Sequence, residues 1–265
     1  MTIATDTRTA SLAILRERIS AGRIGWGAPL VMVAIRTLLF LAWQGGAAAL
    51  FAMTGVPHPL AASAAWWPVT IVGANLMTLA VLLRLLHREG GRYREMIRID
   101  RRTSGRDLLA VLGVTLFAGV AATMPGTLVS MALWGDPMTG SEMVFRPVPL
   151  WAAAFALVAF PVTIALSELP TYFGYAMPRL ALLSGRWWLA ILITAGGLAV
   201  QHCALPFLPD WRFLLWRGLM YLPFALLLAI VLAWRPRLLP YLMVMHGLLD
   251  FAAAWLFFSL SAAAP

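Results

Sequence analysis

An all-α, polytopic membrane helix bundle of about seven transmembrane helices is the fold class the sequence predicts, on three observations. The 265-residue chain is 62% hydrophobic and 12% charged, with a mean hydropathy of +0.83. A soluble domain is about 45–50% apolar and about 25% charged. Stretches of spanning length, about 20 apolar residues, recur along the whole chain. The basic residues are all arginine and gather in alternate loops.

The stretches run 29–53, 61–83, 108–133, 149–167, 187–205, 213–233 and 238–258. The fourth is expected to continue past Glu168 to Leu183 as a bent or broken helix, with Pro161 and Pro170 as the places to bend. Three regions follow: a basic segment 1–27, N-terminal membrane helices 28–148, and a membrane region 149–265 that carries the chemistry-bearing residues. The segment 1–27 does not read as a secretory signal, because its polar stretch is too long. Residues 11–21 are expected to form an amphipathic helix on the membrane surface.

Sixteen arginines fall on one side: four before the first stretch (Arg8, Arg16, Arg18, Arg23), eight from Arg84 to Arg106, and Arg179, Arg186, Arg235 and Arg237. The opposite loops hold Arg146 and Arg212. The positive-inside rule then makes the N-terminus cytoplasmic and, with seven crossings, the C-terminus external. Trp66, Trp67, Trp134, Trp151, Trp187, Trp188, Trp211 and Trp234 stand at the ends of stretches, as an aromatic belt requires. An arginine-only chain rich in Ala, Gly and Pro suits a GC-rich genome, so a bacterial inner membrane is the expected location. The loop 87–106 reads as solvated and facing the lipid surface. The clustered basic charge is assigned to the bilayer, not to nucleic acid. The single cysteine, Cys203, forms no internal disulfide and reads as a small core residue. No phosphate-binding loop, dinucleotide fingerprint or CxxC pair is present.

Ionisable groups inside a bilayer are costly and each calls for a role. Six lie within or beside the stretches: Arg36, Glu168, His202, Arg217, His246 and Asp250. Arg36 and Arg217 have long stems and are expected to snorkel to an interface. The other four are short and come from three stretches; His246 and Asp250, four apart, share a helix face. The residues alone leave three readings: water activated for hydrolysis with Glu168 as base, a metal site, or a proton relay or structural polar cluster. Asn75 is expected to bond between helices, and Gly45-Gly46 and Gly196-Gly197 to mark close approaches. Tyr172 and Tyr175 read equally as cavity lining or packing, while His58 and His87 read as solvated.

The segment Ser167-Glu168-Leu169-Pro170-Thr171-Tyr172-Phe173-Gly174-Tyr175-Ala176-Met177-Pro178-Arg179-Leu180 resembles the first motif of the CAAX protease and bacteriocin-processing family of intramembrane proteases, Glu-Glu-x-x-x-Arg-Gly with a Tyr-Ala-Leu-Pro-Arg-Leu tail. Leu198-x-x-x-His202 resembles the second motif, Phe-x-x-x-His, and His246-x-x-x-Asp250 the third, His-x-x-x-Asn. The resemblance covers residues 149–258. It departs at Leu169, Phe173, Leu198 and Asp250.

By that resemblance Glu168 and His202 hold and deprotonate a water, and His246 with Asp250 stabilises the oxyanion of a peptide or membrane-protein substrate. Asp250 has two further readings, as an ionised carboxylate fixing the tautomer of His246 or as a metal ligand. If a divalent metal such as zinc is bound, His202, His246 and Glu168 are its expected ligands; no obligatory metal is the preferred expectation. Leu169 and Phe173 replace a Glu–Arg pair four apart, so the two changes read as one exchange of a buried lock for an apolar pair. The alternative functions are a non-catalytic scaffold or maturation accessory of the same fold and a proton-coupled transporter. The transporter reading lacks an internal repeat.

Overall fold

The computed structural model describes residues 3–264, and side chains from Leu12 onward. Arg8 therefore lies outside the described side chains. In chain order the helices are α1 (Ile3–Ser20), α2 (Gly27–Met53), α3 (Pro59–Ala64), α4 (Trp67–Arg88), α5 (Tyr93–Met96), α6 (Ser104–Trp134), α7 (Thr139–Val144), α8 (Leu150–Leu169), a π-helical segment Pro170–Ala176, α9 (Met177–Ser184), α10 (Trp187–Cys203), α11 (Trp211–Trp234), a 3-10 turn Pro236–Leu238, and α12 (Leu239–Ala263). No strand occurs among the described residues.

Among the described residues six helices are long and apolar enough to cross a membrane: Gly27–Met53, Trp67–Arg88, Ser104–Trp134, the continuous run Leu150–Ser184, Trp211–Trp234 and Pro236–Ala263. The expected fifth crossing, α10, has 17 residues and is the shorter apolar helix of the bundle. It extends about 25 Å at the helical rise. The protein is thus an integral membrane helix bundle of six spanning helices plus α10. On α6 the exposed residues Leu109, Leu112, Leu116, Val120, Met124 and Leu128 recur every three or four positions, which makes a stripe that faces lipid. Trp151, Trp188, Trp211 and Trp234 stand exposed at helix ends. Trp67 does not join that belt: it is buried and donates its indole N–H to the Val144 carbonyl at 3.1 Å.

The fourth crossing runs on past Pro170 without breaking. Pro170 has no N–H to give to the Leu166 carbonyl four residues earlier. The chain answers with a π-helical turn from Pro170 to Ala176 and then resumes as α9. The carbonyl is met from outside: the Tyr93 hydroxyl donates to it at 2.6 Å. Burial raises the Tyr93 phenol well above its ordinary value, so it stays a donor across the physiological range. The loop between α4 and α6 is therefore a packed element, not the free surface loop its composition suggests. Tyr93, Met96 and Ile97 pack on the main core.

Arg179 is likewise no loop residue. It is buried on α9 and pairs with buried Glu89 at the end of α4, while the Tyr175 hydroxyl donates to Glu89 at 2.5 Å. Arg237 pairs with buried Asp107 at 2.8 Å. Arg18 donates to the Gly90 carbonyl at 2.9 Å, which seats α1 against the same end of the bundle. His58 and His87 are exposed, as expected. Tyr172 and Tyr175 are fully buried and serve packing and hydrogen bonding.

Replacing Tyr93 by Phe removes one donor from one carbonyl and little else. The expected cost is about 1 kcal/mol, read as a thermal midpoint in detergent lower by a few degrees. An unchanged midpoint would mean the loop does not brace the helix at Pro170.

Candidate functional site

Two close approaches assemble the site. At Gly247 on α12, a Cβ would stand 3.1 Å from the Ala165 Cβ and 3.4 Å from the Pro161 carbonyl oxygen of α8. The bare glycine lets α12 lie on α8 beside His246. At Gly197 on α10, a Cβ would collide with Val33 of α2. Gln201 is one turn beyond Gly197, and Arg36 is one turn beyond Val33, so the contact brings those two polar side chains together. The other expected approach points, Gly45, Gly46 and Gly196, have nothing within 4 Å of a built Cβ.

Glu168, 1% exposed on α8, is the centre. Its Oε1 accepts from His246 Nε2 at 2.7 Å. Its Oε2 accepts from Gln201 Nε2 at 2.5 Å and from Arg36 at 3.2 Å. Arg36, 0% exposed, also donates to Ser167 Oγ at 2.9 Å and through Nε to Gln201 Oε1 at 2.7 Å. Gln201 Oε1 takes a further hydrogen bond from the Tyr172 hydroxyl at 3.1 Å. Arg36 therefore does not snorkel: it is the buried counter-ion of Glu168. A buried carboxylate without such a partner would cost several kcal/mol.

Arg217 does not snorkel either. It is buried on α11 and donates to the carbonyls of His202 and Leu205, with Tyr221 on its third arm. Those carbonyls belong to the end of α10, where a helix leaves acceptors without intrahelical partners. The pairing fixes the end of α10 that carries His202. The His202 ring donates from Nδ1 to the Leu198 carbonyl at 2.7 Å and stacks on Tyr221 with centroids 3.6 Å apart. In the neutral ring that bond leaves the lone pair on Nε2. Among the described residues His202 makes no hydrogen bond to Glu168, although the two are near enough to interact electrostatically.

Asp250 approaches His246 at the same nitrogen that meets Glu168, with Oδ2 3.4 Å from Nε2. It does not face the opposite ring nitrogen; a carboxylate at Nε2 favours the tautomer that carries its proton there, as Glu168 does at the same atom. His246 Nδ1 and Thr171 Oγ1 are buried without a hydrogen bond, and Asp250 Oδ2 has only its longer approach to His246. The His246 ring stacks on Phe224 at 5.9 Å.

The expected ligand set His202, His246 and Glu168 does not form a metal site. No group of three or more His, Cys, Asp and Glu side chains among the described residues is arranged to hold a metal ion. The reason is local: a guanidinium already occupies Glu168 Oε2, and His246 Nε2 faces Oε1. A cavity of about 420 Å³ lies elsewhere, open and apolar, against α2 and α4 beside Trp43, Gly46 and Met77. Asn75 bonds between helices as expected, donating to Thr163 Oγ1 at 3.1 Å. Cys203 packs in the bundle with its thiol toward the Leu214 carbonyl.

The sequence reading missed Gln201, Ser167 and the true place of Arg36. Depth was the available signal for the arginine. Arg36 follows Gly27 by nine positions, about 13 Å along the helix, a long way for a side chain to reach back. No family model, curated protein or solved structure matches the chain, and the site stands on its own geometry.

Leu169 and Phe173 are both buried in the main apolar core. Phe173→Arg would strand a cation there, at an expected cost of about 3–5 kcal/mol. Thermal unfolding in detergent reads it, and an unchanged midpoint would contradict the exchange of an ion pair for an apolar pair.

Proposed function

We propose that the protein is an intramembrane endopeptidase of the CAAX protease and bacteriocin-processing type, hydrolysing a peptide or membrane-protein substrate. One observation carries this reading: Glu168, His202 and His246, which stand at motif positions, arrive from α8, α10 and α12 around one buried carboxylate, with Asp250 at the position of the motif Asn beside His246. In the reading, water gives a proton to the free Nε2 of His202 beside the Glu168 carboxylate. The resulting hydroxide attacks the peptide carbonyl, and the proton passes on to the leaving amine. His246 Nδ1 is the unpartnered polar atom left to meet the oxyanion; it donates only when the ring carries both protons.

A second reading has its own support. Both oxygens of Glu168 are engaged by protein groups, which suits a structural polar lock in a non-catalytic scaffold.

His202→Phe separates the two. It removes the proton acceptor and retains a ring to stack on Tyr221. Neo-N-termini in membranes from cells expressing each form would be compared by mass spectrometry. The endopeptidase reading expects termini that depend on the wild-type protein and fall by about 10²-fold or more in the variant, with thermal stability nearly kept. Identical terminus profiles would leave the scaffold.

The orientation proposed is N-terminus in the cytoplasm of a bacterial inner membrane and C-terminus outside. Its support is the arginine asymmetry; the external C-terminus further requires that α10, the shorter apolar helix, crosses as well. A C-terminal alkaline phosphatase fusion should be active and a tag in the α4–α6 loop protected in intact cells. An inactive fusion with an inward C-terminus would mean α10 does not cross.

A further inference from the structure

The polarity of the amide at Gln201 is fixed by its neighbours. Its Oε1 receives two donors, the Arg36 Nε–H at 2.7 Å and the Tyr172 hydroxyl at 3.1 Å. An amide oxygen accepts and cannot donate, so the NH₂ end has to face Glu168 Oε2, 2.5 Å away. The guanidinium reaches the same oxygen at 3.2 Å and holds Ser167, the residue before Glu168, with its remaining arm. All five side chains are buried. Both donors that the carboxylate receives from α2 and α10 thus converge on Oε2, and it has one oxygen, Oε1, to present to His246 on α12.

We propose that Arg36 and Gln201 are positioning residues that clamp one oxygen of Glu168 and so aim the other at His246. Arg36 acts in two ways. It balances the carboxylate charge where water is scarce, and it sets the orientation of the Gln201 amide. A lysine would keep the charge but lose the planar fork that reaches Gln201, Ser167 and Glu168 together. The inference rests on the endopeptidase reading only for what the aimed carboxylate does; the clamp itself is a statement about geometry.

The test uses the full chain in detergent and in membranes. Arg36→Met should lower the thermal midpoint by roughly 10 °C, because a buried charge is stranded. Adding Glu168→Gln should recover most of that loss, since the pair is then removed as a unit. Arg36→Lys and Tyr172→Phe are the milder variants. Both should fold, and both should shift the ring ¹⁵N signals of His246, one of four histidines in the chain. The His202-dependent neo-termini should fall about 10-fold or more through kcat, with KM unchanged, if position 36 acts through Glu168. Independent, additive losses in Arg36→Met and Glu168→Gln, or His246 signals unmoved by both mild variants, would overturn the clamp. Coupled stability and shifted His246 signals without any His202-dependent termini would retain the clamp and remove the endopeptidase reading.

Discussion

A carboxylate in the interior of a membrane bundle has to find a partner, and Glu168 finds several. Its two oxygens collect donors from three helices other than its own: Arg36 on α2, Gln201 on α10 and His246 on α12. In hydrocarbon there is little hydrophobic gain in helix meeting helix, and packing and buried polar contacts carry more of the association. The charge of Glu168 is therefore a constraint on the whole assembly. The close approaches at Gly247 and Gly197 bring the helix faces near enough to meet it. The cap that Arg217 places on α10 holds the end of that helix beside it. The same saturation that stabilises the carboxylate limits its freedom to act as a base, which is why His202, with Nε2 left free by its bond to Leu198, carries the proton step in the proposed chemistry.

The helical class was legible because hydropathy reports directly on the solvent. A stripe such as Leu109–Leu112–Leu116 on α6 has no soluble explanation. An irregularity at Pro170 was legible as well, since a missing N–H is a property of the residue itself. Whether the chain would break or widen there was not, because the outcome depends on Tyr93, which reaches in from another loop. The site divides along the same line. Glu168, His202, His246 and Asp250 stand out as short ionisable groups in apolar runs. Arg36 and Gln201 do not, because an arginine has a snorkelling alternative and a glutamine carries no charge. Their role depends on which helix lies opposite, and periodicity along one helix contains no such information. The length of α10 was overread for a related reason: the apolar run past Cys203 continues in sequence after the helix has ended.

The arginine-rich end illustrates how charge counts can mislead about individual residues. Most of those arginines are exposed, but Arg179 and Arg237 are drawn into pairs with Glu89 and Asp107, both buried. Those pairs staple the ends of α4 and α6 to α9 and to the 3-10 turn that precedes α12. They give the loop between α4 and α6 a fixed seat under the π-helical segment, with Met96 against Gly174.

The π-helical segment has one more consequence, and it concerns angular phase. Glu168 and Arg179 are eleven positions apart on one continuous helix. In an unbroken α-helix eleven residues make just over three whole turns, so the acid and the base would point in nearly the same direction. A π-turn acts as an inserted residue and retards the phase by roughly 100°. One helix can then address two different audiences: its acid looks toward α2, α10 and α12, and its base looks toward Glu89 on α4. Two buried charge networks of opposite need are strung on a single rod without competing for the same neighbours.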